Sequence, residues 1–471
     1  MLQHHKSEPV LHSDRVIRRQ QSLAGTAHTI LMNTKSAVAG IGYNVCGYLN
    51  EMYQDPIDLG VDECVWLCVG DKTVGFTDTV EFYTHWNSLI RITYTKNWPE
   101  PILNPKTQVV YESDTGWGCT IRCAQMLLAN IFQMPAYCGN TSDDSIQGNS
   151  CCAEMSGKTY CGKATSDNSY CAEMSGETYC GKTPVKATRT PVCEEFNDRS
   201  ECQFSIHQFI NFGDKFAGEW FGPTSVAIGV CGLLSSQSNL GSVRFVDGRI
   251  CMREVLAAAS QPPPRSPNWT LANEWTEAQS PGGFVRIAHH EWAETQSPDV
   301  EHFGDIIDAS VGWTRPVLIL CTLRTSPDTL FPPELIPVLL AYMKISSFVG
   351  ILGGPEGRCF FINGLLHTTH TTQHRLLAID PHIVHESSNS NFQPNSVHPT
   401  QISPNELCPS MCVSFLVTDQ TQMNLLQTQM NQIEFTHQTS AFITVSNDSQ
   451  GINPQRYPDP KFIDGDDLVL I

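Results

Sequence analysis

The stretch from Tyr111 to Phe132, YESDTGWGCTIRCAQMLLANIF, constrains the fold more than any other part of the chain. Its polar opening, Glu112-Ser113-Asp114-Thr115, runs into Gly116-Trp117-Gly118 and then Cys119. From there Ile121, Ala124, Leu127, Leu128, Ile131 and Phe132 recur at the three-to-four spacing of a buried helical face. Gly118 permits a sharp backbone turn just ahead of that helix. Cys119 therefore stands at a helix N-terminus, where unpaired N–H groups and the helix dipole favour an anion. Such a position lowers a thiol pKa and favours the nucleophilic thiolate. The competing reading is a buried structural cysteine, since unpaired cysteine is among the most buried residue types.

A second constraint lies far downstream, in Leu376-Leu377-Ala378-Ile379-Asp380-Pro381-His382. The apolar run reads as a strand that ends in Asp-Pro-His. Residues two apart on an extended segment point to the same side. Pro381 holds the middle position extended and biases Asp380 the same way. The Asp380 carboxylate can then orient the His382 imidazole. Alone, Asp-Pro-His is an ordinary turn. Together with a cysteine at a helix start it supplies a nucleophile, a base and an orienting group.

The chain has 471 residues, 41% of them hydrophobic, enough for one large domain with insertions or for two domains. A net charge of −19 argues against nucleic-acid binding and against attraction to an anionic membrane surface. The first residues contain no apolar signal-peptide core, and the longest apolar stretch, Leu335 to Leu352, is broken by Pro337, Lys344 and two serines. No integral membrane segment is expected, and a cytoplasmic location follows. There the 19 cysteines stay reduced rather than bridged.

Two duplications interrupt the chain. The segment from Cys152 to Lys163 recurs almost unchanged from Cys171 to Lys182, and Glu274–Pro281 recurs as Glu291–Pro298. Two copies are too few for a solenoid, and the cysteine spacing is wrong for the short hooks of zinc sites. His367, His370 and His374 would share one face if helical, but the threonines between them argue for a loop. No metal and no cofactor is expected. Elsewhere Cys64–Gly70, Val317–Leu320 and Phe348–Leu352 read as strands, and Phe82–Thr95, Ser205–Phe212, Pro223–Leu234 and Leu335–Lys344 as helices.

The blocks SDTGWGCTIRCAQMLLA and IDPH resemble the two signatures of the autophagins, the autophagy-related protein 4 family of papain-like cysteine proteases. Further blocks agree in order: RITYTKNWP from Arg91, FSIHQ from Phe204, GEWFGP from Gly218, RPVLIL from Arg315, GILGGP from Gly350 and PSMCVSF from Pro409. The matches run discontinuously from about residue 60 to 430. The resemblance implies an α+β, papain-like fold with a small auxiliary α/β lobe and disordered insertions. Weak polar patterning reads as a flexible tail over 1–36, and the duplications mark inserts at 138–200 and 261–300; with the resemblance these leave protease segments at 37–137, 201–260 and 301–435 and a C-terminal tail over 436–471.

The resemblance also implies an activity: cleavage after the C-terminal glycine of a GABARAP-type ubiquitin-like modifier. That would prime its precursor and release it from phosphatidylethanolamine. Cys119, His382 and Asp380 would form the triad, and Tyr94 would help hold the oxyanion. Trp220 would line the groove for the terminal glycine, and Gly353, Gly354 and Pro355 would belong to a mobile gate over the thiol. The enzyme is expected to act as a monomer. Two departures stand out. The family usually carries a basic residue between Gly-Gly and Pro, and its modifier-docking tail needs an aromatic where this chain has Leu468. Two further readings stay open: a protease of the related group that processes the ubiquitin-fold modifier, and a catalytically weak adaptor that binds the modifier. A metal-binding protein built on the Cys- and His-rich inserts is a remote third.

Overall fold

The computed structural model describes residues 56–134, 194–261, 312–368, 374–387 and 393–447, apart from single positions within them. It also describes part of 38–44, and the backbone alone of the strands Cys171–Met174, Glu177–Cys180, Trp275–Ser280 and Gly283–Ala288. The first copy of the Cys-rich duplication, His370 and the chain after 447 lie outside the described residues.

The architecture is α+β, with helices on both faces of a large sheet. Along the sheet the order is Thr400–Ile402, Arg375–Ile379, Phe360–Thr368, Phe348–Gly353, Ser410–Val417, Val317–Arg324 and Gly241–Phe245. Glu63–Val69 also pairs with Phe360–Thr368 and carries Lys72–Phe76 on its other side. The pairings are antiparallel except for Gly241–Phe245, which runs parallel to Val317–Arg324. The alternation of a strand divides its side chains between two cores. In Val317–Arg324, Leu318 and Leu320 face the core built on helix Cys119–Phe132, while Val317, Ile319 and Cys321 face the core built on helix Gln420–His437.

Helix Cys119–Phe132 lies where the sequence places it, but it has no solvent face: every residue from Cys119 to Ala129 is buried, as is Ile131. It is a central helix, enclosed by the sheet on one side and by helices Ile206–Phe212 and Pro223–Gln237 on another. Leu127 and Leu128 have no exposure at all. Truncating either to Ala would cost about 2–5 kcal/mol, the usual range for a filled core.

The helix expected over Phe82–Thr95 is corrected. A helix runs from Thr79 to Trp86, started by Asp78, whose side chain accepts from the Glu81 N–H. The chain then turns extended as Ile90–Arg91 and Tyr94–Lys96. The run Ile92-Thr93-Tyr94-Thr95 is rich in β-branched residues, and every one of these side chains is buried. Tyr94–Lys96 pairs in parallel with Val384–Glu386. That single pairing brings the segment ahead of helix Cys119–Phe132 against the Asp-Pro-His segment.

Two segments read as peripheral are packed. Residues 194–200 fall inside the span assigned to an insert, yet Phe196 and Asp198 are buried. Beyond 436, Ile443 is buried and Thr444–Ser446 pairs with Arg249–Cys251. In the region of the second duplication the backbone forms a hairpin, and its strand Gly283–Ala288 runs parallel to Ile102–Leu103.

Candidate active site

Asp380 follows strand Arg375–Ile379 directly, so the sheet fixes its backbone on both sides. Its Oδ1 accepts from the His382 backbone N–H at 2.8 Å and lies 2.6 Å from His382 Nδ1. The intervening Pro381 offers its carbonyl to the Tyr94 N–H at 3.0 Å, and Arg91 Nε donates to the Asp380 carbonyl at 3.2 Å. Both side chains of the pair are almost wholly buried. Burial raises a carboxyl pKa, but the charge and hydrogen bonds of His382 outweigh it and hold Asp380 at about 2. Burial opposes protonation of His382, but Asp380 outweighs it and lifts the imidazole to about 9.

Cys119 is the first residue of its helix and is 2% exposed. Gly118 before it keeps a negative φ of −90°, so left-handed geometry is not the reason for a glycine there. The reason is contact: a Cβ at Gly118 would sit 2.5 Å from Asp114 Cβ. The turn itself uses Gly116, at φ 87°. Burial drives the Cys119 thiol pKa up. Against it act the hydrogen bond and charge of His382, a hydrogen bond from the Trp220 indole N–H and one from the Cys359 backbone N–H. The balance is a pKa of about 7. Sulfur and imidazole thus share a hydrogen bond and favour opposite charges, the condition for a thiolate–imidazolium pair.

The remaining candidates divide. The Tyr94 ring is buried and meets the His382 ring edge-on, centroids 5.5 Å apart. Trp220 is 40% exposed, unlike most aromatic rings of the core, and its indole reaches the sulfur. Gly353, Gly354 and Pro355 occupy the end of one strand and the turn after it. Gly354 is pinned there: its carbonyl accepts from the Cys408 N–H at 2.7 Å, and a Cβ on it would meet Phe360 at 2.7 Å. Cys359, at the far end of that segment, is one of the groups that lower the Cys119 thiol pKa.

Three contributors escape a reading of the sequence: Cys359, Phe360 and Asp198. The Phe360 ring packs on His382, centroids 5.2 Å apart. Asp198 completes a fully buried cluster around Arg122, one turn into helix Cys119–Phe132. Arg122 Nε donates to Asp114 at 2.6 Å, Nη1 to Gln125 at 3.0 Å and to Asp198 at 2.9 Å, and Nη2 to Thr95 at 2.8 Å and to Asp198 at 3.0 Å. All five N–H groups of the guanidinium are used. The cluster ties the helix to the Tyr94 strand through Thr95. The signal in the sequence was Arg122 itself, a charge amid an apolar helix that must find a buried partner.

Among the described residues no group of three or more His, Cys, Asp or Glu is arranged to hold a metal ion. His367 and His374 stack face to face, centroids 4.8 Å apart. Cys123 and Cys359 adjoin the site, and burial pushes the Cys123 thiol well up. Among the described residues no helix is long and apolar enough to cross a membrane.

A family model described as the peptidase C54 catalytic domain matches residues 79–429. Cysteine protease ATG4B of Gallus gallus is 24% identical over 375 residues, covering 77% of this chain and 78% of that protein. Cysteine protease ATG4A of Homo sapiens is 21% identical over 372 residues, covering 76% of each. The probable cysteine protease atg4 of Penicillium rubens is 24% identical over 327 residues, covering 66% of this chain and 58% of that protein.

Proposed function

Since the chain belongs to the peptidase C54 family and is a cysteine protease of that type, we propose that it cleaves after the C-terminal glycine of a GABARAP-type ubiquitin-like modifier, both priming the precursor and releasing the modifier from phosphatidylethanolamine. The observation that carries the reading is the 2.6 Å contact between Asp380 Oδ1 and His382 Nδ1, with the same imidazole close enough to Cys119 to pull its thiol pKa down.

The chemistry follows from that run. The Cys119 thiolate attacks the carbonyl carbon of the terminal glycine, and a carbon–sulfur bond forms. The negative charge passes to the carbonyl oxygen. That oxyanion is held by the Cys119 backbone N–H, one of the helix N–H groups without an intrahelical acceptor, and by the Tyr94 hydroxyl. His382 gives its proton to the leaving amine as the carbon–nitrogen bond breaks, which leaves a thioester. The now neutral imidazole takes a proton from water, and the resulting hydroxide displaces the sulfur. Asp380 keeps the imidazole oriented throughout. With phosphatidylethanolamine as the leaving amine the same steps free the modifier from lipid, and the modifier rather than the protease supplies the membrane attachment.

Trp220 and the Cys359 backbone both act on the thiol, so a substrate glycine must approach the sulfur between or past them. The test is incubation of the protein with a GABARAP-type precursor and, separately, with a ubiquitin-fold modifier precursor. Cleavage of the first after its glycine is expected, and it is lost in Cys119→Ala while binding persists. Processing of the second precursor alone, or residual turnover by Cys119→Ala, would overturn the assignment.

A further inference from the structure

The Asp380 carboxylate is shared. Oδ1 serves His382, while Oδ2 lies 3.6 Å from Nη2 of Arg358. Arg358 belongs to the segment that joins strand Phe348–Gly353 to strand Phe360–Thr368, and the next residue, Cys359, gives its backbone N–H to the Cys119 sulfur. The Arg358 guanidinium also lies over the Phe360 ring at 5.0 Å, and that ring packs on His382. One short segment thus touches the sulfur by its backbone, the carboxylate by its arginine and the imidazole by its aromatic ring. A side chain 46% exposed gives up rotamer freedom to hold such a pose.

We propose that Arg358 is a positioning residue for His382, which ties the placement of the 354–359 segment to the acid–base chemistry of the site. With the segment on the sulfur, the guanidinium holds the outer oxygen of Asp380, keeps Oδ1 turned to the imidazole and offsets part of the negative charge that the imidazolium feels. With the Arg358 side chain displaced from Asp380, that positive charge leaves, and His382 holds its proton more tightly. The inference rests on reading Cys119, His382 and Asp380 as the reacting groups.

Of the other charged or titratable groups near the pair, Cys359 and Glu356 belong to the segment and the rest to other elements. Arg91 holds the Asp380 carbonyl rather than its carboxylate. Tyr94 meets the His382 ring from its own strand. Cys123 and Cys359 adjoin Cys119, with the Cys123 thiol pushed up by burial. Glu356 lies on the segment itself and is exposed.

The experiment is the rate of Cys119 alkylation by iodoacetamide across pH 5 to about 10, read by peptide mapping on the full chain. Wild type, Arg358→Ala and Arg358→Lys are compared at about 20 mM and about 1 M salt, concentrations that leave the charge unscreened or screened. The upper inflection marks loss of the imidazolium proton. In Arg358→Ala it moves up by a few tenths of a pH unit at low salt. Arg358→Lys, which keeps the charge, restores it, and high salt brings wild type to the alanine position. Coincident low-salt inflections for wild type and Arg358→Ala would overturn the proposal, as would a lysine variant that behaves like alanine. Alkylation needs no protein substrate, so these outcomes are separate from the identity of the modifier. A single ordinary thiol inflection in wild type would instead defeat the triad itself.

Discussion

A single oxygen of Asp380 holds His382 twice, by the backbone N–H at 2.8 Å and at ring Nδ1 at 2.6 Å. The first contact fixes where the histidine backbone lies and the second fixes how its ring is turned. Asp380→Asn keeps the shape but puts an amide where the carboxylate was. The imidazole loses its anionic partner and the tautomer that points its other nitrogen correctly. Turnover should fall by about 100- to 10,000-fold, as for carboxylate-to-amide changes in comparable triads. Steady-state cleavage of a C-terminally tagged modifier measures this, with little change in KM.

Activity should follow a bell-shaped pH profile. The acid limb is set by Cys119, held at about 7, and the basic limb by His382, lifted to about 9. The maximum falls between them, near pH 8 as a rough midpoint. Stability carries its own sign. The pKa of His382 is raised in the folded state, so its stabilisation is complete below the ordinary value of 6.5 and is lost as pH rises through about 9. Melting temperatures taken from pH 6.5 upward should therefore decline less steeply in His382→Gln than in wild type.

Trp220→Phe removes one of the groups that hold the Cys119 thiol pKa down and keeps an aromatic surface. The thiol pKa then rises, and the acid limb of the pH–rate profile moves up by about half a unit to one unit. Because Trp220 is substantially exposed, the melting temperature should hold. A displaced acid limb at unchanged stability separates a donor role from a packing role.

Arg122→Met leaves the Asp114 and Asp198 carboxylates facing each other in the core. Burial already pushes the Asp114 carboxyl pKa up against the pull of Arg122. Removing the cation should destabilise the protein by about 3–5 kcal/mol, the usual result of orphaning a buried charge. Urea denaturation measures it, and the triple change to Met with Asp114→Asn and Asp198→Asn should recover part of the loss.

The parts of the site that are legible in the sequence are those in which short-range pattern and final geometry coincide. The apolar spacing after Cys119 predicts a helix, and a helix forms there, although packing buries it on every side rather than on the one face the spacing shows. Asp380 and His382 meet because extended backbone alone puts them side by side. Tyr94 was misplaced in the secondary structure because Phe82 to Thr95 carries a helical pattern, and only the distant Val384–Glu386 makes it a strand. Cys359 acts through its backbone, which no side-chain pattern can signal. Asp198 was hidden because a long duplicated stretch separates it from Arg122, and contacts across such a distance leave no local trace.

That last separation bears on how the enzyme comes into being. Arg122 and Asp198 stand 76 positions apart in the chain. The cluster around Arg122 can therefore close only after Asp198 has been synthesised. The imidazole that would arm the sulfur is made later still. On the proposed mechanism, a nascent chain gains its third reacting group only once residue 382 has emerged.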